Sequence, residues 1–214
     1  MPLPDAARTA GRGTAGTLAT VPKVGFTRAE LESYRDATLP DLLGPSTRLL
    51  FVGINPGLWT AATQAHFSRR GNRFYPALLA AGIIDRPLDA SAGYTEEDRA
   101  YLLERGIGIT NLVARATARA DELTNAELHE GGRRLAGHVA ELGVPVVAVL
   151  GITAYRTAYG RPKAAAGKQP ETLGGAQLWV VPNPSGLNAH SSLAALGQAY
   201  REVALAAGLE LTGK

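Results

Sequence analysis

Compact apolar runs alternate with amphipathic stretches along most of this chain. Four of these runs have the length and composition of buried strands, namely 49–53, 107–110, 144–150 and 178–181. The stretches between them repeat their apolar positions with the period of a helix. Strands that alternate with helices form a mainly parallel sheet covered on both faces. We therefore predict a three-layer α/β/α fold around a central, mainly parallel sheet of four to five strands.

Helix signals occur before and between the predicted strands. Capping boxes, in which a Thr is followed three residues later by a Glu, predict helix starts at Thr27 and Thr124. We expect the first of these helices to end near Pro40. The remaining pattern predicts helices over 74–81, 95–104, 124–142, 152–159 and 192–207. The segment 161–175, which contains Pro, Gly and Lys, is predicted to be a loop.

The limits of the apolar pattern suggest the limits of the domain. Residues 1–23 are rich in Gly, Ala, Thr, Arg and Pro without an apolar period, which predicts a disordered tail. Residues 24–214 suffice for one α/β domain with its own core. No segment approaches the roughly 18 consecutive apolar residues of a membrane helix, and the N-terminus lacks the apolar core of a signal peptide. We expect a cytoplasmic protein.

Composition narrows the chemistry. Arg outnumbers Lys by 18 to 4, although the net charge is only +3. Because guanidinium groups bind phosphate oxygens well, this bias favours a polyanionic partner; an Arg-rich surface of no specific function is the alternative. The absence of Cys excludes disulfides, thiolate nucleophiles and Cys-ligated metals. The four His lack H-x-x-x-H spacing, so we expect no metal.

Two Asn-Pro turns follow the first and last predicted strands. They are Asn55-Pro56-Gly57 and Asn183-Pro184-Ser185-Gly186. Ligands of parallel α/β sheets bind beyond the carboxyl ends of the strands, so both turns are predicted to lie on one ligand-binding rim. Either turn alone is better explained as ordinary turn chemistry, since Asn, Pro and Gly suit the dihedral angles of a tight turn; two such turns at strand ends favour a functional site more.

An aromatic residue precedes a basic run shortly after the first turn. Phe67 is followed by Arg69, Arg70 and Arg73. A stacked base with flanking phosphates requires an aromatic ring beside cations. The alternative is that Phe67 belongs to the core and that the three Arg lie in a solvated turn.

Five sets of motifs closely resemble those of the mismatch-specific uracil/thymine-DNA glycosylases, in that family's order. They are GINPG (53–57), GNRFY with AGIIDRPL (71–75 and 81–88), GIGITNLVARAT (106–117), ELHEGGRRL (127–135) and LWVVPNPSGLNAH (178–190). The resemblance covers about 43–207. It implies a uracil-DNA glycosylase-like fold and a cofactor-independent, nucleoid-associated repair enzyme that we expect to be monomeric. Such an enzyme flips uracil, thymine or etheno-cytosine out of mispaired double-stranded DNA and hydrolyses the N-glycosidic bond, which leaves an abasic site for base excision repair.

The resemblance also implies roles for single residues at the base. Asn55 would orient the attacking water, although an amide oxygen is too weakly basic to remove its proton. Asp85 is the carboxylate that could assist Asn55, and a role at a helix end or in an ion pair is its alternative. Phe67 would stack on the flipped base, while backbone groups of Gly53, Ile54 and Phe67 read its polar edge. Asn72 would shape the pocket, and Tyr75 would pack beneath it.

Further roles are implied on the DNA side. Backbone groups of the second turn, at Asn183 and Gly186, and the Ser185 side chain would hold phosphate. Leu187 would be the wedge that fills the gap left by the flipped base, with a buried loop leucine as the alternative. The sequence departs from the family pattern after this position, so Asn188 or His190 would read the opposite guanine. The segment 89–98 is longer than the family pattern leads us to expect.

Two other function classes compete with this interpretation. A different nucleotide-binding α/β enzyme is disfavoured, because segment 151–160 lacks both G-x-G-x-x-G and a G-K-[ST] ending. A non-catalytic DNA-binding module on the same fold would have no need of an amide at Asn55.

Overall fold

The computed structural model describes residues 25–186 and 191–213. Five strands are formed: β1 Leu49–Gly53, β2 Ile107–Asn111, β3 Val146–Leu150, β4 Gly167–Leu173 and β5 Ala176–Val181. Seven α-helices are formed among these residues: α1 Arg28–Glu32, α2 Leu58–Thr63, α3 Phe74–Ala80, α4 Glu96–Glu104, α5 Asn125–Leu142, α6 Ile152–Tyr159 and α7 Leu193–Ala206. A short 3-10 helix covers Ala120–Glu122. The predicted tail at 1–23 lies outside the described residues.

The strands form one sheet in the order β2-β1-β3-β5-β4, in which the first four are parallel and β4 is antiparallel to β5. The predicted α/β fold with a mainly parallel sheet is confirmed. The prediction of a loop over 161–175 is wrong where β4 forms. This strand escaped the pattern because it is a polar edge strand interrupted by Pro170, with only Gln169 and Leu173 buried.

Alternate residues of the central strands enter two separate cores. Phe51 faces a core that it shares with α3 and α7, whereas Leu50 and Val52 face a core shared with α5 and α6. Because side chains of a strand alternate between its faces, strands buried on both sides appear as continuous apolar runs. The helices on the two faces give the predicted three layers.

Capping explains where most helices begin. Thr27 and Thr124 both form the predicted capping boxes, and α5 starts and ends close to its predicted limits. The prediction that the first helix extends to near Pro40 is wrong, since α1 ends at Glu32. The chain turns through Asp36, which has a φ of 63° and donates its backbone N–H to Ala116 O at 2.9 Å. Helix α2 was not predicted.

The parallel strands bring their carboxyl ends to one rim of the sheet. The first Asn-Pro turn follows β1 there and the second follows β5. Helix α4 and Gly106 lead into β2 at the opposite, amino-terminal end of the strands, as the parallel topology requires. No helix among the described residues is long and apolar enough to cross a membrane.

Candidate active site

A cavity of about 720 Å³ opens at the carboxyl ends of the strands. Its walls are drawn from the first turn, the loop 66–72, the segment 117–121, the ends of β2 and β3, and the second turn. Seven residues predicted for the site line this cavity together: Gly53, Ile54, Asn55, Phe67, Asn72, Asn183 and Ser185. The cavity therefore collects most of the described candidates in one place.

The Asn55 side chain is held by its amide nitrogen. Nδ2 donates to Arg115 O at 3.0 Å and to Thr117 Oγ1 at 2.8 Å. The Thr117 hydroxyl donates its own proton to Arg119 O at 2.7 Å, so it can only accept from Asn55. Since a carbonyl also only accepts, these contacts fix which end of the amide is nitrogen. Both N–H groups are thus committed, and Oδ1 accepts no hydrogen bond from the described residues.

The segment that holds Asn55 is itself tied down by charge. The Arg115 guanidinium donates to Glu127 at 2.5 Å and to Asp36 at 3.0 Å. Hydrogen bonds from Arg115 and then from Thr124 lower the pKa of Glu127 to about 2, so the carboxylate stays ionised. Thr117 N also donates to Pro56 O at 3.1 Å, inside the first turn. These contacts fix the Arg115 and Thr117 acceptors relative to the Asn55 amide.

Gly53 makes room for a second amide. It is the last residue of β1 and pairs in register with Asn111, the last residue of β2. A Cβ atom at position 53 would lie 2.4 Å from Asn111 Oδ1, which is closer than any real contact. Only Gly therefore lets the buried Asn111 carboxamide lie across the end of β1 at the floor of the cavity.

His66 sets the direction of the Asn111 amide. Its Nε2 lies 3.2 Å from Pro40 O, and because a carbonyl only accepts, Nε2 carries the proton. Its Nδ1 is then an acceptor and lies 3.5 Å from Asn111 Nδ2. Burial lowers the pKa of His66 to about 4, so the ring is neutral near pH 7.

The Phe67 ring lies over Gly53 with one face covered. It stacks on Phe74 with ring centroids 4.2 Å apart and planes inclined by 29°. Its edge would come within 3.4 Å of a Cβ at Gly53. The ring is half-buried and lines the cavity, so a planar ligand could stack only on the face opposite Phe74. Tyr75 is buried beside this pair.

The loop before α3 and the second turn are joined to each other. Asn72 Oδ1 accepts from Phe74 N at 2.9 Å at the start of α3. Arg73 donates its backbone N–H to Pro184 O at 3.0 Å and its Nη2 to Ser185 O at 3.1 Å. A Cβ at Gly186 would lie 2.6 Å from Gly71 O, so the two segments meet through backbone. Arg73, grouped with the basic run in the sequence, therefore has a structural role here.

The structure does not bring Asp85 into the cavity. Asp85 lies just beyond α3, and its carboxylate accepts from the Tyr101 hydroxyl at 2.6 Å while its N–H donates to the same oxygen at 2.8 Å. Asp85 is not among the residues that line the cavity, and its partner is the Tyr101 hydroxyl rather than a helix end or a cation. Gly186 is exposed beside the cavity and does not line it. Leu187, Asn188 and His190 lie outside the described residues.

Sequence reasoning missed several residues of the cavity: His66, Asn111, Thr117, Arg119 and Asp121. A signal for Asn111 existed, because it is a polar residue directly after an apolar run that ends on the same rim as Asn55. No comparable signal marks Thr117, whose role depends on a contact with a segment 62 residues away in the chain. Asp121 is a rim carboxylate that pairs with Arg119 at 2.5 Å. No group of three or more potential metal ligands occurs among the described residues.

Comparison with known proteins identifies the family and supports the fold. Residues 40–207 match the family described as the Uracil DNA glycosylase superfamily. The fold is similar to the solution NMR structure of "a putative Uracil DNA glycosylase from Methanosarcina acetivorans", with a TM-score of 0.53 and 17% sequence identity over 78% of this chain and 98% of that chain. At this identity the similarity concerns the fold. The family match covers the whole sheet and its rim, and the chain therefore belongs to the uracil DNA glycosylase superfamily.

Proposed function

We propose that this protein is a monofunctional, mismatch-specific DNA glycosylase that flips uracil out of a mispair and hydrolyses its N-glycosidic bond. Thymine and etheno-cytosine are further candidate bases. One observation carries the proposal: the Asn55 amide is held through both of its N–H groups, its oxygen accepts no hydrogen bond from the described residues, and the residue lines one cavity with Phe67 and Asn111. A stacking face, a buried amide and a fixed acceptor are what excision of a flipped pyrimidine requires.

The cavity suits a flipped nucleotide. Its volume of about 720 Å³ lies within the usual range of ligand pockets. The base would stack on the open face of Phe67, and the Asn111 carboxamide would offer a donor and an acceptor to its polar edge. A donor at that edge also stabilises the negative charge that develops on the departing pyrimidine. Stabilisation of the departing base would therefore supply most of the rate acceleration.

Asn55 would position water without deprotonating it. Oδ1 can accept a hydrogen bond from a water at the sugar C1′, but an amide is not basic enough to take the proton. His66 does not fill this role, because its neutral Nδ1 faces Asn111. Asp121 is paired with Arg119 at the rim. The water would attack a sugar that already has oxocarbenium character and lose its proton late.

The surroundings of the cavity suit a DNA backbone. Arg69 and Arg119 are exposed at its edge and can reach phosphates of the flanking nucleotides. The Ser185 hydroxyl and backbone groups of the second turn would contribute further phosphate contacts, with Leu187 as the wedge and His190 or Asn188 at the opposite guanine. A weakly paired base is easier to extrude, which favours mispairs. The proposal includes a single domain over 24–214 that acts as a monomer.

An oligonucleotide assay tests this proposal. A labelled duplex with one G·U pair is incubated with excess protein in EDTA and then treated with alkali, which breaks the strand at abasic sites. We expect breaks at the uracil, fewer in an A·U duplex of the same sequence, and none with Asn55→Ala on the same time scale. Binding of the G·U duplex without any breaks would instead identify a non-catalytic DNA-binding module. Equal rates on G·U and A·U would contradict the mismatch specificity alone.

A further inference from the structure

The backbone of Phe67 adopts a conformation that aromatic residues rarely take. Its φ is 54°, in the left-handed region. For a bulky side chain this conformation is unfavourable and persists only where the surrounding structure imposes it. The conformation has a visible result, since it directs the ring into the space between Phe74 and the end of β1.

Two tyrosine hydroxyls form a hydrogen-bonded chain that ends on the peptide group preceding this residue. Tyr75 Oη donates to His66 O at 2.7 Å, and Tyr94 Oη lies 2.6 Å from Tyr75 Oη. Because the carbonyl only accepts, the Tyr75 proton points to it, and Tyr94 must donate to Tyr75. Burial raises the pKa of Tyr75 and raises that of Tyr94 to about 12, so both remain donors at neutral pH. The chain of donors ends on the His66–Phe67 peptide.

The segment that carries Tyr94 is anchored beside the first turn. Ser91 O accepts from Trp59 Nε1 at 3.0 Å, which ties the segment to α2. In the loop that carries Phe67, Ser68 Oγ lies 2.7 Å from Thr63 Oγ1 at the end of α2. The connection between α3 and α4 is therefore tied to α2 through Ser91, and it reaches the His66 carbonyl through Tyr94 and Tyr75.

We propose that Tyr75 and Tyr94 are positioning residues that hold the open face of Phe67 in the plane required for stacking on the flipped base. Neither tyrosine contacts the substrate; both act through the His66–Phe67 peptide and so through the Phe67 ring. This inference rests on the proposed function, because the stacked base is its substrate. It predicts that hydroxyl deletion slows base excision without removing any group from the cavity wall.

Single-turnover excision from a G·U duplex tests the pair. We expect Tyr75→Phe to lower the rate about tenfold, because it leaves the buried His66 carbonyl without its donor. Tyr94→Phe should lower it about threefold, since the Tyr75 contact survives. Affinity for a duplex with an abasic-site analogue, which has no base to stack, should stay unchanged. Tyr155→Phe is the matched control, because that hydroxyl donates to Glu171 at 2.8 Å on the other face of the sheet.

A double-variant cycle separates positioning from general loss of stability. If Tyr75 acts through Phe67, Phe67→Ala combined with Tyr75→Phe is no slower than Phe67→Ala alone. Independent losses that multiply in the double variant would overturn the proposal, as would equal rates for Tyr75→Phe and wild type. Should Tyr75→Phe fail to fold, Tyr94→Phe in the same cycle decides.

Hydrogen exchange gives a readout that needs no activity. The backbone amides of residues 64–70 should exchange faster in Tyr75→Phe than in wild type, while Tyr155→Phe leaves them unchanged. If wild-type protein shows no excision, the proposed function fails and this measurement alone decides the inference. Unchanged exchange at 64–70 would then reject it.

Discussion

The two Asn-Pro turns on the rim use the same dipeptide in opposite ways. At the first turn, Asn55 donates both N–H groups to the segment 115–117, and its oxygen accepts no hydrogen bond from the described residues. At the second turn, Asn183 Oδ1 accepts from Ser185 N at 2.9 Å and closes the turn on itself. The amide oxygen of Asn55 is therefore available to a ligand, whereas the amide oxygen of Asn183 stabilises its own turn.

The two Asn side chains therefore differ in function: Asn55 can take part in the reaction, whereas Asn183 stabilises the fold. A fixed amide oxygen that faces a cavity can orient water, whereas an amide oxygen bonded to its own turn orients backbone. The sequence motif alone does not distinguish them, because the partners of Asn55 come from a distant segment. The following predictions test the contrast, from the largest expected effect to the smallest.

Removal of the Asn55 amide should have the largest effect. We expect Asn55→Ala to lower the single-turnover excision rate by about a hundredfold or more, as loss of one preorganised polar group does in other enzymes. DNA affinity, measured by fluorescence anisotropy on a G·U duplex, should remain within about threefold, because Asn55 contributes no charge. Full activity of the variant would show that another group orients the water.

Loss of the Thr117 hydroxyl should have an intermediate effect. Thr117→Val keeps the shape of the side chain but removes one of the two acceptors that fix the Asn55 amide. We expect a rate about tenfold lower, since one buried hydrogen bond is lost and the amide can rotate. Thr117→Ser retains the hydroxyl and is the control. A rate for Thr117→Val equal to that of Thr117→Ser would mean that the Arg115 carbonyl suffices.

Acidification should affect the cavity through His66. The pKa of His66 is about 4 in the folded chain and 6.5 without burial, so the unfolded chain binds a proton first as the pH falls. Stability should therefore decrease between pH 6.5 and pH 4 and change no further on this account below pH 4. We expect the Tm advantage of wild type over His66→Gln to shrink by several degrees across that interval. A constant Tm difference would contradict the lowered pKa.

The smallest effect on excision is expected at the second turn. Asn183→Ala removes the oxygen that closes the turn, so we expect the Tm to fall by a few degrees for about 1 kcal/mol. The excision rate at saturating enzyme should stay within about threefold of wild type. A loss as large as that of Asn55→Ala would show that both turns take part in the chemistry and would abolish the contrast.

The fold was largely predictable because its signals are local. Continuous apolar runs gave four strands of the sheet, and capping boxes placed the starts of α1 and α5. The two wrong predictions have different causes, one local and one tertiary. Strand β4 has one buried face and contains Pro170, so it carries neither a continuous nor a clean alternating pattern. The end of α1 depends on a contact between Asp36 and Ala116 that no local sequence encodes.

The site was predictable where residue type and position along the chain carry a signal. Residues of the first turn, and Phe67 with its basic neighbours, could be found from residue type and position. The partners that orient them could not. Thr117 acts through a tertiary contact, and Asp85, which the family resemblance suggested, lies beyond α3 with Tyr101. Chemistry-bearing residues are visible in the sequence, whereas their orientation depends on the fold.

The close approach of Gly53 and Asn111 has a consequence for sequence drift. A methyl group at position 53 and the amide at position 111 compete for the same space. Relatives that carry Ala or Ser at 53 should therefore carry a shorter side chain at 111, or one directed elsewhere. The two positions are expected to covary as a pair, and under the proposed function a change of side chain at 111 would alter which base the pocket accepts.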